Sequence, residues 1–266
     1  MAINPGVMAA SPGFFLDSFP GAKGAYSLRR LSGAAINVVQ VRRDSDQAEA
    51  DFTPADIDSG ALAEWVGAGN NGYIVKLYDQ SSNDNDAGET TLSYQPTIID
   101  SGTLVTSVGL PAVQFTNLNN LDIDGLSNTT YLDCFYIIET SDWSYLYPAD
   151  GSSNSNFGPV AANGSGSGNE TGNNYGSPTL YVNGTATSPS DRDDTHDLLN
   201  GRKLVHHFSA SSADFDDFQF GRYGNQSSSS QYNLTAKVQA MLFYDADQSG
   251  NRASIDASLN SYYEIY

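Results

Sequence analysis

Apolar and polar residues alternate at every second position in several stretches, the pattern of strands with one buried face. The longest is Leu234–Tyr244, where Leu234, Ala236, Val238, Ala240, Leu242 and Tyr244 fall on one face and Thr235, Lys237, Gln239 and Met241 on the other. Asn37–Arg43 is rich in valine and bounded by Gly33 and Asp44, and Tyr73–Tyr78 runs into an Asp/Ser/Asn cluster. Ala112–Phe115, Tyr131–Ile138, Thr179–Val182, Lys203–Phe208 and Phe218–Phe220 also read as strands. Asn183-Gly184, directly after one of them, is a strong signal for a tight hairpin. Two stretches have helical spacing instead. A short helix near 59–67 is predicted, capped by Asp58 or Ser59, with Leu62, Trp65 and Val66 as its apolar face and Gly67 as its stop. A C-terminal helix near 249–262 would present Ile255, Leu259 and Tyr262 or Tyr263. Many short strands without a repeating βαβ unit predict an all-β fold, an antiparallel β-sandwich or jelly roll.

The chain edges differ from this body. Residues 1–20 carry Pro5, Pro12 and Pro20 and no basic residue, which predicts an extended N-terminal arm and no secretory signal. Residues 149–195 are dominated by Ser, Asn, Gly, Asp and Thr, which predicts a polar, loop-rich insertion. The remainder, 21–266, reads as one jelly-roll domain.

Composition narrows the function. The 266 residues hold 31 acidic against 12 basic side chains, a formal charge of −19, which argues against nucleic acid as a partner. No apolar run is long enough to span a membrane as a helix. A single cysteine, Cys134, excludes an internal disulfide framework and a cysteine-based zinc site. His206 and His207 are neighbours on a strand, so they point to opposite faces and cannot share a metal.

Two motifs carry a family resemblance. The ordered set GAYSLRRL (Gly24–Leu31), VRRDSDQAEADF (Val41–Phe52) and LYDQSSNDNDA (Leu77–Ala87) resembles concanavalin A-like lectin/glucanase domains. Such sets occur in the catalytic domain of family 54 α-L-arabinofuranosidases and in tailed-phage structural proteins and bacterial surface proteins. The ending AMLFYDADQSGNRASIDASLNSYYEIY (Ala240–Tyr266) is similar to the last strand and closing helix of laminin-G-like domains. The resemblance spans roughly residues 20–115 and 200–266. It implies a jelly roll and leaves function open, because the fold hosts enzymes and binders alike.

The motif residues also have readings of their own. Arg29, Arg30, Arg42 and Arg43 are four of the eight arginines, and they predict an ion-paired strip with Asp44, Asp46, Glu49 or Asp51. The alternative is an arginine patch for a carboxylate-bearing glycan or an acidic neighbour. Asp79, Asp84 and Asp86 form an oxygen-rich turn that could take calcium, although the spacing is not that of an EF-hand and an Asx turn serves as well. No other cofactor is called for. Tyr145, Tyr147, Tyr175, Tyr223 and Tyr232, in or near loops, are candidate sugar-stacking residues.

A glycosidase needs two carboxyl groups facing one pocket. The family 54 resemblance implies a catalytic domain with adjacent cysteines, in a segment of the CCFDYGNAE kind. This chain has none, and neither Glu139 nor Glu170 has such flanks. The expectation is therefore a non-enzymatic virion structural protein of a phage, a capsid decoration, spike or tail-fibre module on the virion surface. Its partners would be the major capsid protein or tail proteins and host-surface glycans, in a homo-oligomer with a trimer favoured. The competing reading is a polysaccharide-binding or α-L-arabinofuranosidase-like protein.

Overall fold

The predicted strands pair antiparallel in two layers. The computed structural model describes residues 13–116, 118–126, 131–140, 144–145, 148–150, 155–156, 160–161, 180–189, 192–210, 218–221 and 234–266. One layer runs Glu49–Phe52, Val39–Arg43, Gly72–Leu77, Thr97–Asp100 and Val113–Phe115, each hydrogen-bonded to the next. The other runs Ala22–Ser27, Ala236–Tyr244, Tyr131–Thr140, Gly201–Ala210, Leu180–Val182 and Thr185–Thr187. Alternation supplies the core between them. Val39, Val41, Ile74, Ile98, Val113 and Phe115 meet Cys134, Tyr136, Ile138, Val205, Met241 and Phe243, all buried. The outer face of the second layer buries Phe135, Ile137, Leu204, Leu242 and Tyr244 under a second apolar cluster.

Five α-helices are described: α1 (Phe15–Ser18), α2 (Pro54–Asp58), α3 (Ala61–Val66), α4 (Arg192–Leu199) and α5 (Arg252–Tyr263). Helices α1 and α5 cover the second layer through Phe15, Ile255, Leu259 and Tyr263. Of the two tyrosines at the end of α5, Tyr263 is the buried one and Tyr262 remains 44% exposed. The predicted 59–67 helix is α3, preceded by a further helix, α2, from which Gly60 with φ of +83° separates it. Neither Asp58 nor Ser59 caps α3, whose N-cap is Gly60 without a side-chain bond; Thr53 caps α2. Its hydroxyl accepts from the Asp56 N–H at 3.2 Å while Asp56 accepts from the Thr53 N–H at 2.9 Å, a capping box with Pro54 in the first turn. Asn183-Gly184 closes the predicted hairpin, with φ of +51° and +76° and Val182 opposite Thr185.

One strand does not keep the single face that its alternation predicts. Between Ile137↔Ala240 and Ile138↔Val238 the strand Ala236–Tyr244 carries one extra residue, Gln239. This bulge flips the alternation. Ala236 and Val238 therefore pack between the layers with Met241 and Phe243, whereas Ala240, Leu242 and Tyr244 face α5. The same strand pairs with Val113–Phe115 before the bulge and with Ala22–Ser27 after it, so it belongs to both layers. Gln239 is buried, and its amide donates to the carbonyls of Ser107 (3.2 Å) and Leu110 (3.2 Å).

The two halves of the N-terminal motif meet as a hydrogen-bonded knot. The Gln80 side-chain amide donates to the Ser27 carbonyl (2.8 Å) and the Arg29 carbonyl (2.9 Å) and accepts from the Leu31 N–H (2.6 Å). Asp79 accepts from the Ala25 N–H at 2.8 Å, and Asn83 and Asn85 donate to the Ala22 and Lys23 carbonyls at 2.8 and 2.6 Å. The Tyr26 hydroxyl donates to the Asn85 carbonyl. These groups satisfy a strand edge and the chain beyond it that no neighbouring strand serves. Gln80→Leu keeps the volume and strands two buried carbonyls and one N–H, each of which costs about 1–3 kcal/mol. Urea unfolding should show a loss of about 3 kcal/mol; a loss under about 0.5 kcal/mol would remove the knot from the stability of the fold.

Candidate functional site

The sequence-predicted residues divide between three places. The oxygen-rich turn is the first, and it is closed on itself. The Asp79 carboxylate takes the N–H groups of Ala25, Ser81 and Asn85 (2.8–3.0 Å) and the Ser81 hydroxyl (2.5 Å). Asp86 accepts from the Asp79 N–H at 3.0 Å and pairs with Lys76 at 3.1 Å, and Asp84 turns the chain with φ of +55°. Oxygens already facing N–H and O–H donors do not fit calcium. Among the described residues no group of three or more His, Cys, Asp or Glu side chains could hold a metal.

The arginine strip is the second. Arg43 and Asp46 form a bidentate pair at 2.8 and 2.7 Å, which holds the Asp46 carboxyl down to about 2. The other three arginines go elsewhere. Arg42 is buried and donates to Gln95 and Gln47, both at 2.7 Å, with its guanidinium 4.8 Å from the Tyr73 ring. Arg30 donates to the Ser32 and Gly33 carbonyls. Arg29 lies among Tyr262, Tyr263 and Phe15, 4.0, 5.0 and 5.9 Å from their ring centres. Asp44 is held by its backbone, whose N–H donates to the Asn71 carbonyl at 3.0 Å. The physical reason is local: aromatic rings and amide oxygens surround these guanidinium groups more closely than the acidic residues do.

The third place is the outer face of Tyr131–Thr140 and Gly201–Ala210. Asp133 pairs with His206 Nε2 and accepts the Gln248 N–H at 2.8 Å, all three buried. His206 is stacked on Phe135 at 4.2 Å and on Tyr181 at 5.3 Å. Arg252 lies 4.1 Å over the other neighbour of this stack, Tyr181, and bonds Asp256 at 3.1 Å. Burial pushes the Asp256 carboxyl up. The cluster ties the start of α5 to the sheet, and at 2% exposure or less its two carboxyls and imidazole are closed to a substrate. His207 takes the opposite face and stacks on Tyr136 at 5.6 Å. Cys134 is buried, and burial pushes its thiol up, so it does no nucleophilic work. His196 lies in α4.

Two open clefts can admit a ligand. A groove of about 640 Å³ crosses the outer face of the first layer and is lined by Tyr73, Thr97, Asp100, Gln114, Thr116 and Lys237. Sequence reasoning missed it because Tyr73, Thr97 and Gln114 come from three separate strands. The register places Tyr73 opposite Thr97 and Thr97 opposite Gln114, which makes one row across the sheet. An aromatic ring beside amide, hydroxyl and ammonium groups suits a sugar. A second cleft of about 410 Å³ lies between α1, α2 and α5 and contains Arg29, Arg30, Asp58 and Tyr262. Each cleft has one carboxylate among its described lining residues, Asp100 and Asp58 respectively. Of the candidate stacking tyrosines, Tyr147, Tyr175, Tyr223 and Tyr232 lie outside the described residues, as does the side chain of Tyr145. The arm up to residue 12, Glu170 and most of 149–195 also lie outside them.

No protein-family model and no curated protein sequence matches the chain. Solved structures match it in fold. They include a GH54 α-L-arabinofuranosidase soaked with a cyclic sulfate inhibitor (13% identical, TM-score 0.56). An arabinofuranosidase complexed with arabinofuranosyl-α-1,2-xylobiose is 15% identical with a TM-score of 0.55. A Glu→Gln mutant of a GH54 enzyme soaked with 4-nitrophenyl α-L-arabinofuranoside is 13% identical with a TM-score of 0.57. Each match covers 92% of this chain, and the chain spans 64% of the length of those enzymes. These neighbours overturn the expectation of a non-enzymatic capsid-decoration or tail-fibre protein: all three are glycoside hydrolases. The error came from weighing a missing cysteine-bearing segment above the shared fold.

The buried histidine yields a test of the fold around these sites. Burial holds the His207 imidazole down to about 3, against 6.5 for an ordinary histidine, with His206 acting in the same direction. As pH falls, the unfolded chain therefore takes up this proton first. The contribution to stability is complete above about pH 6.5 and is lost between about 6.5 and about 3, by about 1.4 kcal/mol per pH unit. His207→Phe should flatten urea-unfolding stability across that window, and the His207 ring signals should not titrate above pH 4 by NMR. Equal slopes in both proteins, or titration near pH 6.5, would contradict the assignment.

Proposed function

We propose that the chain is a glycoside hydrolase-like protein with a concanavalin A-like jelly-roll sandwich, acting on α-L-arabinofuranosyl groups of a polysaccharide. The observation that carries this reading is the likeness over 92% of the chain to arabinofuranosidases, two of them with arabinofuranosides as the bound molecules. Fold alone does not set function. Support from the site comes from the groove of about 640 Å³, in which Tyr73 offers a ring and Gln114, Thr97, Thr116 and Lys237 offer polar groups. Hydrolysis of a glycosidic bond needs two carboxyls about 5–10 Å apart. The groove holds Asp100.

The test is arabinose release from arabinoxylan and from 4-nitrophenyl α-L-arabinofuranoside, with binding to the polysaccharide followed in parallel. The intact chain should release arabinose. Tyr73→Ala should raise KM by about tenfold and leave kcat and the unfolding midpoint nearly unchanged, as expected when uniform binding is lost. Binding without release would overturn the hydrolase, and neither binding nor release would overturn the carbohydrate reading altogether.

A further inference from the structure

We infer that the cleft between α1, α2 and α5 binds the carboxylate of a uronic acid residue, with Arg29 as the group that recognises it. The inference rests on the carbohydrate reading above and adds a charged sugar to it, at a place distinct from the Tyr73 groove.

The argument starts from what Arg29 lacks. The protein carries 31 acidic side chains against 12 basic ones, so a guanidinium with neither an ion pair nor a hydrogen bond stands out. Arg43 and Arg252 are paired with Asp46 and Asp256, and Arg30, Arg42 and Arg202 donate to carbonyls and side-chain amides, although Arg202 Nη2 is also buried without a partner. Among the described residues the Arg29 guanidinium makes no hydrogen bond and no ion pair, and its Nε is buried without a partner. Three rings hold it instead. Its carbon is 4.0 Å from the centre of Tyr262, 5.0 Å from Tyr263 and 5.9 Å from Phe15. Cation–π contact fixes the plane of the guanidinium and leaves its edge, with the fork of N–H donors, unused.

Arg29 lines a cleft of suitable size. The cavity of about 410 Å³ is lined by Phe14, Ser18, Arg29, Arg30, Ser258 and Tyr262 among others. Its volume is within the range that holds a small ligand. Tyr262, 44% exposed, is an aromatic platform at the mouth. Arg30, stacked over Phe14 at 4.8 Å, places a second positive charge beside the first. Asp58 is the one carboxylate of the lining and forms no ion pair with either arginine. A planar guanidinium with two free N–H groups recognises a carboxylate bidentately, and the neighbouring ring stacks on the sugar that carries it. A neutral sugar would use the ring and leave the guanidinium unpaired; a uronic acid uses both.

The experiment is calorimetric titration of the whole chain with a glucuronic-acid-bearing xylo-oligosaccharide and with the same oligosaccharide whose carboxylate has been reduced to the alcohol. The acid should bind about tenfold more tightly, and the difference should shrink as salt is raised. Arg29→Gln should abolish the difference while the reduced oligosaccharide binds as before. Tyr262→Ala should weaken both ligands, and thermal melts of both variants identify any loss of folding. Equal affinity for the two oligosaccharides, or an undiminished preference for the acid in Arg29→Gln, would overturn the inference. Tighter binding of a glutamate-rich peptide than of the acid would overturn it in favour of a protein partner. Neutral arabinofuranoside turnover reports on the Tyr73 groove, so failure of the uronic acid site is distinguishable from failure of the carbohydrate reading.

Discussion

The side-chain amide of Gln80 fixes the relation between the first strand and the chain that follows the fourth. Strand Ala22–Ser27 has one sheet neighbour, Ala236–Tyr244, and its other edge faces the turn at 79–86. Two hydrogen bonds donated by Gln80, one it accepts from Leu31 and one that Asp79 accepts from Ala25 replace the missing neighbour. Loss of a strand partner normally leaves an edge open to solvent or to association. Here side chains of the turn cover it, and the same bonds hold Arg29 and Leu31 in place beyond the strand. The position of the Arg29 cleft and the seating of Leu31 under α5 both follow from that constraint. The knot also explains why the most recognisable motif in the chain speaks to fold. Its conspicuous polar residues face backbone groups, so the motif is compatible with any activity the sandwich carries.

Gln239 does comparable work at the junction of the layers. A strand that serves two sheets must change partner partway, and the extra residue allows it to do so without breaking its ladder to Tyr131–Thr140. The side chain set free by the bulge fills the gap. It reaches the Ser107, Leu110 and Pro111 carbonyls, and Arg202 bonds its oxygen at 2.9 Å. Its own carbonyl accepts from Ser27 (2.9 Å) and Tyr263 (3.2 Å). One polar residue at a bulge therefore joins the first strand, the junction strand and α5, and α5 in turn forms one wall of the cleft that holds Arg29.

Strand positions, the Asn183-Gly184 hairpin and α5 were legible in the sequence because each depends on local periodicity or turn chemistry. The change of face at Gln239 was not, since the alternation ends there in an all-apolar run, Ala240–Tyr244, that does not say which face each residue takes; the register is set by Tyr131–Thr140, a hundred residues away. The arginine strip was misjudged for a related reason. Proximity in sequence to Asp44, Asp46, Glu49 and Asp51 suggested ion pairs, whereas burial of Arg42 beside Gln95 and Gln47, and of Arg29 among rings, is decided by segments that arrive from 89–95 and 255–263. The Tyr73 groove is a row of residues from three strands, visible only once their registers are known.

Electrostatics gives the two clefts different roles. A charge of −19 makes the surface repel polyanions at long range, so an acidic polysaccharide could be held only at a point where positive charge is concentrated and desolvated. The Tyr73 groove, with Asp100 against Lys237, is close to neutral in its lining and suits uncharged sugar. The Arg29 cleft, with two arginines against Asp58, is net positive, and three rings pack against Arg29, which forms no ion pair among the described residues. An acidic protein gains selectivity from such an arrangement. On the uronic acid proposal, general repulsion would reject densely charged chains while the Arg29 guanidinium would accept a chain on which carboxylates are sparse.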